Sequence, residues 1–475
     1  MREKIIAIIG AGVSGLSAGA ALAKRGYRVK VFEANSFIGG CCSTVTIDGY
    51  TFNNGAMAVI MPSMLEYVFR KLGVERSTVL PLKKITAPQA SIMENEVITI
   101  KNGGTVLFEK NKQAESEAQS EVVHLLEHWE SVYQILQEEL FLNSFSAGRF
   151  ASRMARHIPK FSGTVSHELG RWIKNKNLHA ALLGLLSYAG EPPESLPTAT
   201  ILAIISALKD GYYLPEKGMG QIAEALASTL RMHGGEIELN ARVKRICVHG
   251  KRGLEFENGE FFEADEIISS ASGMLTFGEL MAEEDVPANV KRKARGVRLS
   301  QKGFTVQVGT RELVKTENFL SYIIPPQHKI NDNFAIKNGS VKFGMVAVPT
   351  VTLPEFAPVG KSSIEIGIFV DPNLPLEVWT EAETEHISNE SLAMVRQHHD
   401  FDVVVKRVRS PKHFRDDLNL YEGAMYGISP LAGVFGLFSH KTSIPGLYLT
   451  GQTTFPGFGI TTSAVSGILL AERYF

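Results

Sequence analysis

The segment that most constrains the fold is GAGVSG, residues 10–15, together with the residues around it. A short apolar run, residues 5–9, precedes these glycines, and a stretch rich in Ala and Leu follows them. A second apolar run, residues 28–32, ends at the acidic residue Glu33. Strand, glycine turn, helix, strand and acid at this spacing predict a βαβ unit that binds an adenine dinucleotide.

Each residue of this pattern has a mechanical role. Gly10 permits the tight turn, Gly12 lets the backbone approach a pyrophosphate, and Gly15 lets the helix pack closely on the sheet. The N-terminal end of the helix then faces the phosphates with its free N–H groups. Glu33 stands where a carboxylate accepts hydrogen bonds from an adenosine ribose diol. A merely structural glycine turn is disfavoured because the neighbouring elements all fall at the expected spacing.

Length and composition indicate an ordinary globular protein of two or three domains. The chain has 475 residues, of which 44% are hydrophobic and 21% are charged. A formal net charge of −1 gives no global field toward nucleic acid or anionic lipid. Its cysteines are Cys41, Cys42 and Cys247, which cannot form a disulfide framework and lack the spacing of a redox pair. A cytoplasmic protein without a metal site is therefore expected.

The first residues resemble a secretory signal in part, because a charged start precedes an apolar run and small residues. Cleavage there would remove the glycine turn, so export is not expected. No run of about 18 consecutive apolar residues occurs, and a membrane-spanning helix is therefore not expected.

Beyond residue 60 the dinucleotide-binding pattern is interrupted and later resumes. The interrupting elements are a helix at 63–72, short strands within 85–109 around a Gly103-Gly104 hairpin turn, a polar bridge at 111–121, an amphipathic helix from Val122, a mostly helical, apolar stretch at 145–210, and strands within 303–409 with a polar helix near 377–398. The resuming elements are a helix at 221–233, strands at 236–240 and 244–248, and a return strand within 263–271. The chain therefore weaves between two domains.

The C-terminal segment distinguishes among cofactors. A buried strand at 447–450 leads into Gly451, and the segment PGFGITT, residues 456–462, begins the last helix at 463–474. A second helix N-terminus near glycines can present N–H groups to an electron-rich ring. Alone this pattern would be a capping turn, but beside the N-terminal unit it favours a flavin.

Three motifs together carry a family resemblance. They are the N-terminal unit with Gly39-Gly40 and GYTFNNG (49–55), the central GYYLPEKGMG (211–220) followed by NARV (240–243), and PGLYLTG (445–451) with FPGFG (455–459). The chain resembles the flavin-dependent phytoene desaturase-like family of the amine oxidase-like flavoproteins, which includes carotenoid isomerases and retinol saturases. The likeness covers nearly the whole chain, and its C-terminal motif is the most specific.

Four details refine this resemblance. Cys41-Cys42 resembles the retinol saturase side of the family, whereas desaturases of phytoene usually have Arg at position 41. Phe455-Pro456-Gly457 is closer to the isomerase and saturase versions of the C-terminal turn. Asn53 stands where the family commonly has Asp, and Lys217-Gly218 interrupts the glycine pair of the central motif. These departures weaken the inference that this chain shares the family's substrate more than the inference that it shares the family's cofactor.

The resemblance implies an α/β fold in which a Rossmann-like, glutathione reductase-like FAD-binding domain is interleaved with an α+β substrate-binding domain. The expected FAD-binding domain comprises residues 1–75, 215–295 and 420–475; the expected substrate-binding domain comprises residues 76–214 and 296–419, with an apolar helical part at about 120–210.

FAD is the expected cofactor. Residue 41 cannot supply a cation, so the pyrophosphate would depend on backbone donors and on Ser43 or Thr44. Val243 would contact the adenine through its main chain, and the segments around Gly55 and Gly459 would flank the isoalloxazine. The residues expected to bind FAD are Gly10, Gly12, Val13, Ser14, Gly15, Glu33, Ala34, Gly40, Cys41, Cys42, Ser43, Gly55, Ala56, Val243, Gly451, Gln452, Gly459 and Ile460.

The implied reaction is hydride transfer between flavin N5 and a polyene or isoprenoid lipid, which would be desaturated, saturated or isomerised in an apolar tunnel. The electron acceptor (oxygen, a quinone or a reductase) stays open, as does peripheral membrane contact. Residues 178–208 could form the tunnel wall or touch a membrane, but core packing is preferred. The basic residues near them are interpreted as a solvated face: Arg149, Arg153, Arg156 and Lys160.

No catalytic acid or base is assigned. For each polar candidate a structural hydrogen-bonding role is preferred. The candidates are His413, Arg415, Asp416, Tyr188, Tyr212 and Tyr426.

Three other functions are weighed against this one. An amine oxidase of the same fold usually has an aromatic pair on the exposed flavin face, whereas the tryptophans here, Trp129, Trp172 and Trp379, lie far from the last segment. A non-catalytic prenyl-binding escort protein would be expected to lack the C-terminal flavin turn. A pyridine-nucleotide disulfide reductase would need a second glycine fingerprint and a redox cysteine pair.

Overall fold

The computed structural model describes residues 4–87, 89–142, 147–325, 330, 334–336 and 340–475. The start of the first predicted domain (residues 1–3) and of the predicted helical stretch (residues 145 and 146) lie outside these residues.

The described strands are β1 (Ile5–Ile9), β2 (Arg28–Phe32), β3 (Thr44–Ile47), β4 (Tyr50–Asn53), β5 (Leu82–Lys84), β6 (Gln89–Met93), β7 (Glu96–Ile100), β8 (Val106–Phe108), β9 (Tyr213–Pro215), β10 (Glu236–Glu238), β11 (Val243–Cys247), β12 (Gly253–Phe256), β13 (Phe261–Glu263), β14 (Glu266–Ser269), β15 (Lys302–Thr310), β16 (Leu320–Ile323), β17 (Ala335–Ile336), β18 (Gly344–Ala347), β19 (Ser363–Val370), β20 (Val403–Arg409) and β21 (Leu447–Leu449).

The described α-helices are α1 (Val13–Lys24), α2 (Pro62–Leu72), α3 (Arg76–Val79), α4 (Glu115–Leu136), α5 (Ala147–Met154), α6 (Val165–Trp172), α7 (Lys176–Gly184), α8 (Ile201–Lys209), α9 (Gly220–Met232), α10 (Gly273–Gly278), α11 (Ala288–Gly296), α12 (Glu381–Arg396), α13 (Pro411–Leu418), α14 (Gly433–Gly436) and α15 (Ile460–Tyr474).

A five-stranded parallel sheet combines strands from the first, middle and last parts of the chain. Its order is β10-β2-β1-β14-β21. The central strand β1 pairs with β2 on one side and with β14 on the other, so that Ala7 lies opposite Lys30 and Ile267. The predicted βαβ unit and the predicted return strand within 263–271 are therefore confirmed.

The first and last helices of this layer pack at very short range. A Cβ on Gly467 of α15 would lie 2.1 Å from Ser17 Oγ of α1. Ser17 Oγ donates to the carbonyl of Ala464 at 2.8 Å. Small residues therefore bring the last helix against the helix of the glycine turn.

A nine-stranded mixed sheet forms the second layer, in the order β20-β15-β19-β18-β16-β6-β7-β8 with β17 beside β19. Two pairings are parallel, β16 with β6 and β17 with β19. All residues of β15 and β19 are buried, although β15 alternates apolar residues with polar ones such as Thr305 and Gln307. The predicted Gly103-Gly104 turn joins β7 to β8, which pair antiparallel as expected.

Two predicted boundaries were wrong. The polar bridge at 111–121 is largely helical, because α4 begins at Glu115. Its polar residues contact the neighbouring strand β8: the Gln119 side chain accepts from the Val106 N–H at 2.9 Å, and Ala118 is buried on the same turn. The last helix begins at Ile460 and not at 463.

The apolar stretch within 178–208 packs into the largest buried cluster, as preferred from the sequence. Leu182, Leu185 and Ile204 have no exposed surface. In the part of the chain that the structure describes, no helix combines the length and apolarity needed to cross a bilayer.

Candidate functional site

A first cavity of about 570 Å³ lies at the carboxyl ends of β1, β2 and β14. This edge of a parallel sheet is where ligands of such folds bind. Most of the sequence-predicted site residues line it, although they come from four separate parts of the chain. They are Gly10, Gly12, Val13, Ser14, Glu33, Ala34, Gly40, Cys41, Cys42, Gly55, Ala56, Val243, Gln452, Gly459 and Ile460.

The glycine turn leaves open space where a phosphate group would approach. A Cβ added to Gly12 would meet no described atom within 4 Å, and Gly12 lines the first cavity. Gly12 also precedes α1, whose N-terminus receives no capping hydrogen bond from a described side chain. Glycine is required at position 10 by its φ of +91°. The turn therefore offers an uncovered helix N-terminus to an anion.

Glu33 forms the acidic wall of the first cavity. It is 7% exposed. Its carboxylate accepts the backbone N–H groups of Ala11 at 2.8 Å and Asn35 at 3.0 Å, one on each oxygen. Burial raises the pKa of Glu33, and these N–H groups oppose that rise. Since each carboxylate oxygen has a further lone pair, Glu33 can still accept from a pair of hydroxyls.

Three predicted site residues do not line the cavity and instead shape it. A Cβ on Gly15 would lie 2.2 Å from the Gly10 carbonyl oxygen, which confirms the close packing inferred for this glycine. A Cβ on Gly451 would lie 2.9 Å from Ser14 Oγ. Ser43 donates its hydroxyl proton to the Gly40 carbonyl at 2.6 Å and accepts from the Asn54 amide at 2.9 Å.

Ser43 or Thr44 was expected to donate a hydrogen bond to the pyrophosphate, but both hydroxyls form hydrogen bonds within the protein instead. Thr44 Oγ1 bonds to Asn53 Oδ1 at 3.2 Å and accepts from the Gly220 N–H at 2.8 Å. Both hydroxyls hold the loop that carries Cys41-Cys42 and neither lines the first cavity.

Cys41 and Cys42 differ in their surroundings. Burial raises the pKa of the Cys41 thiol to about 11, although the Arg409 guanidinium nearby opposes the rise. Cys42 is buried, and its Sγ donates to the Met219 carbonyl at 3.1 Å. Both side chains are neutral thiols at neutral pH, and Arg409, which bonds to Asp417 and to the backbone of Asn54, is the cation behind Cys41.

Asn53 sits beside a buried acid, which explains why an amide suits this position. The Asn53 N–H donates to Glu365 Oε1 at 2.6 Å, and its Oδ1 accepts from the Met219 N–H at 2.9 Å. Burial raises the pKa of Glu365 to about 8. An aspartate at position 53 would place a second carboxyl group close to this one.

The side chains of the KHFRDD segment, residues 412–417, have structural roles. Ser410 and His413 form a capping box at the start of α13. The Arg415 guanidinium forms a salt bridge of 2.7 Å with the carboxylate of Glu279, the residue that follows α10. Lys412 pairs with Asp416 on the same helix. These contacts support the preferred structural interpretation of His413, Arg415 and Asp416, and Arg415 also lines the first cavity.

A second cavity of about 400 Å³ adjoins the first. Its wall is apolar and includes the methionines Met57, Met61, Met64 and Met345. Among the described residues that line it, none carries a charged side chain. Residues that line both cavities are Gly55, Ala56, Met425, Tyr426, Gly459 and Ile460.

Aromatic side chains gather in the second cavity. Tyr188, Tyr212 and Tyr426, named from the sequence, all line it, and so does Tyr322. The rings of Tyr426 and Phe458 pack with centroids 4.9 Å apart and planes at 53°. This aromatic pair was not predicted, since only the tryptophans were compared with such a pair, although Phe458 lies inside the C-terminal motif.

Sequence reasoning also missed part of the first cavity. Arg242 lines it and donates to Asn419 Oδ1 at 2.8 Å. Arg242 directly precedes Val243, so the NARV motif was an available signal. Ser270 lies within the segment predicted to contain the return strand, residues 263–271, and was recognisable in the same way. Phe414 and Tyr421 line the cavity as well; Phe414 lies between the sequence candidates His413 and Arg415, whereas Tyr421 has no such signal.

Comparison with known proteins relates the whole chain to flavin enzymes. The family described as flavin containing amine oxidoreductase matches residues 13–275. A zeta-carotene-forming phytoene desaturase of Myxococcus xanthus is 24% identical over 98% of this chain and 93% of its own length. The chloroplastic prolycopene isomerase of Daucus carota is 25% identical over 99% of this chain and 80% of its own length.

Solved structures share the fold at lower identity. An oxidoreductase from Methanosarcina mazei superposes with a TM-score of 0.68 at 16% identity, covering 99% of this chain and all of its own. This similarity extends the shared mixed α/β architecture to the full length of the chain.

Proposed function

Because this chain belongs to the flavin containing amine oxidoreductase family, we propose that it is an FAD-dependent oxidoreductase acting on the C–C or C=C bonds of an apolar polyene or isoprenoid lipid. The reaction is desaturation, saturation or cis–trans isomerisation. The second cavity, apolar and contiguous with the first, is the observation that carries this proposal.

FAD is the cofactor, and the first cavity fits it. Once bound, it supplies a ring position, N5, that accepts or delivers a hydride. We assign the pyrophosphate to the turn at Gly12, where a Cβ would occupy open space, and the adenosine ribose to Glu33. The main chain at Val243 would lie by the adenine, and Ala56 and Ile460 would flank the isoalloxazine where the two cavities meet.

The wall of the second cavity favours a long neutral hydrocarbon. Burying a charged group beside an uncharged wall is costly, whereas an apolar chain gains from each methylene or methine removed from water. Methionines such as Met57 and Met345 are flexible and adapt to bent or straight chains. The relatives named above act on a phytoene and a prolycopene, which are molecules of this kind.

An amine oxidase is the second candidate function, and one observation favours it. Tyr426 and Phe458 form an aromatic pair of the kind that such an enzyme places near its flavin. A cationic amine would also be stabilised by a carboxylate, and no described residue of the second cavity carries one. The uncharged wall therefore favours the polyene. A non-catalytic escort protein is disfavoured because the C-terminal turn, including Gly459, lines the first cavity.

The interleaved domain division belongs to the same proposal. The parallel sheet draws β1, β14 and β21 from the three predicted FAD-binding segments, and the mixed sheet draws its strands from residues 89–108 and 302–409. Both observations support the division.

The location and the electron acceptor complete the proposal. Free thiols at Cys41, Cys42 and Cys247 support a cytoplasmic location. Peripheral membrane contact gains little from the basic segment, since Arg153 pairs with Glu139 at 2.7 Å and Lys160 donates to the His128 carbonyl. Oxygen, a quinone or a reductase would each complete the reaction.

The decisive experiment is product analysis with a polyene panel. Purified holoprotein is incubated with phytoene, ζ-carotene, prolycopene or retinol, with the flavin either oxidised or reduced, and the lipids are separated chromatographically. We expect altered saturation or geometry in at least one of them, and no change with the flavin-free Glu33→Arg variant. Unchanged lipids throughout, with peroxide released from putrescine, would replace this proposal by the amine oxidase.

A further inference from the structure

Tyr426 occupies a position that no other titratable side chain of the described residues shares. Six residues line both cavities, and the other five are glycine, alanine, methionine or isoleucine. The junction is where a substrate carbon would meet the flavin ring. Tyr426 is therefore the residue at the junction whose side chain can exchange a proton.

The ring of Tyr426 is held on several sides. Its backbone N–H donates to Ser300 Oγ at 3.0 Å, and Phe458 packs against the ring. A Cβ on Gly190 would come within 2.3 Å of Tyr426 Cδ2, so the glycine at 190 makes room for the ring. This packing fixes the direction in which the phenol points.

The hydroxyl itself has no structural task that the described residues reveal. Tyr212 donates to Gln89 Oε1 at 3.1 Å, whereas no described side chain or carbonyl accepts from Tyr426 Oη. Burial raises the pKa of Tyr426 well above its usual value, and the Cys41 thiol nearby contributes. The phenol is therefore protonated at neutral pH, so it can donate a proton and is a poor base.

We propose that Tyr426 is the proton donor when hydrogen is added across a C=C bond of the polyene. This inference rests on the proposed function and narrows it to the saturating direction. It makes Tyr426 a catalytic residue, because its Oη touches the substrate carbon.

The step balances in atoms and electrons. A hydride carrying both electrons reaches one carbon of the C=C bond from the reduced flavin. The π electrons form a new C–H bond at the neighbouring carbon with the proton of Tyr426 Oη, whose O–H bond breaks. The phenolate regains a proton from water, and an external electron donor, dithionite in the test below, reduces the flavin again.

The first test needs no substrate. A phenol in contact with an excited flavin quenches its fluorescence by electron transfer, so Tyr426→Phe is expected to lengthen the fluorescence lifetime of the bound FAD. Tyr448→Phe, which removes a hydroxyl outside both cavities, is the matched control and should leave the lifetime unchanged. An unchanged lifetime in Tyr426→Phe would place this side chain away from the flavin and overturn the inference.

The second test is a single turnover of dithionite-reduced protein with the polyene panel in D2O. The wild-type product is expected to carry solvent deuterium on both carbons of the newly saturated bond, because the N5 hydrogen of the dithionite-reduced flavin and the hydroxyl hydrogen of Tyr426 both come from the solvent. Tyr426→Phe is expected to form this product about 100-fold more slowly with equal FAD content. A rate of product formation in Tyr426→Phe within about threefold of the wild-type rate would overturn the inference. Wild type that desaturates or isomerises but never saturates would overturn it too, and would leave the proposed function standing. Wild type inert toward every polyene would remove the proposed function, while the fluorescence lifetime would still decide where Tyr426 lies.

Discussion

Glu33 supports the glycine loop and faces the first cavity at the same time. Its oxygens accept the N–H groups of Ala11 and Asn35, and the remaining lone pairs are left for a ligand diol. The carboxylate is therefore acceptor-only toward both the loop and the ribose, which an amide in its place would not be.

Glu33→Gln should weaken FAD binding by about 10-fold to 100-fold. The glutamine NH2 group would face a backbone N–H, and hydrogen bonds to a charged acceptor contribute about 1.5–3 kcal/mol. Fluorescence titration of the apoprotein with FAD measures the effect. Glu238→Gln, at the end of β10 and paired with Lys30 at 2.7 Å, is the control. Equal FAD affinity in Glu33→Gln and wild type would refute the role given to this carboxylate.

Glu365 makes stability depend on pH. Burial raises its pKa from 4.5 to about 8, so the folded protein holds a proton that the unfolded chain has released. Unfolding between these values releases that proton, and stability therefore falls as pH rises, by up to about 1.4 kcal/mol per pH unit from this group.

The test compares thermal unfolding of wild type and Glu365→Gln from pH 6 to pH 8. Glutamine keeps an oxygen for the Asn53 N–H and cannot ionise, so the variant should lose part of the pH dependence. The exposed Glu355→Gln is the control. If the stability of the Glu365→Gln variant falls with rising pH as steeply as that of the wild type, Glu365 is not the titrating group.

At the scale of elements, strand β19 forms part of the wall of the second cavity. Gly367 lies on this strand, and a Cβ there would lie 3.2 Å from Met57 Cε and 3.3 Å from Met345 Cε. The missing side chain leaves the cavity open between two methionines. A larger residue would have to displace their flexible ends or enter the cavity.

Gly367→Leu should therefore discriminate among substrates by length. We expect kcat/KM to fall about 10-fold or more for a long polyene such as phytoene and less for retinol, since the added side chain shortens the apolar space. Steady-state product formation measures this ratio. Ile366→Leu, on the same strand but not lining the second cavity, should preserve it. An unchanged ratio in Gly367→Leu would show that the substrate does not pass over β19.

Elements with a local signal could be predicted from the sequence, and those that depend on distant contacts could not. Strand β1 and strand β2 have the predicted bounds because glycine, apolar run and acid define them locally. The start of α4 was missed because its polar first turns are stabilised by partners such as the Val106 N–H, which lie elsewhere in the fold. Loop chemistry caused a similar error at Ser43, whose hydroxyl bonds within its own turn.

At the scale of the whole molecule, the two cavities meet where three separate chain segments converge, at 55–56, 425–426 and 459–460. The motifs identified most of the segments that line the first cavity, so most of that cavity was predictable. The second cavity was not, because its wall combines residues such as Met64, Leu202 and Met345 that look like ordinary core in the sequence. The absence of charge from that described wall is visible only in three dimensions.

The central claim, an apolar substrate held against a bound flavin, is tested most directly by titrating the holoprotein with colourless phytoene and following the visible absorption of the flavin. We predict a saturable perturbation of the flavin band by phytoene and none by putrescine at the same concentrations. A flavin spectrum perturbed by putrescine and indifferent to phytoene would contradict the account.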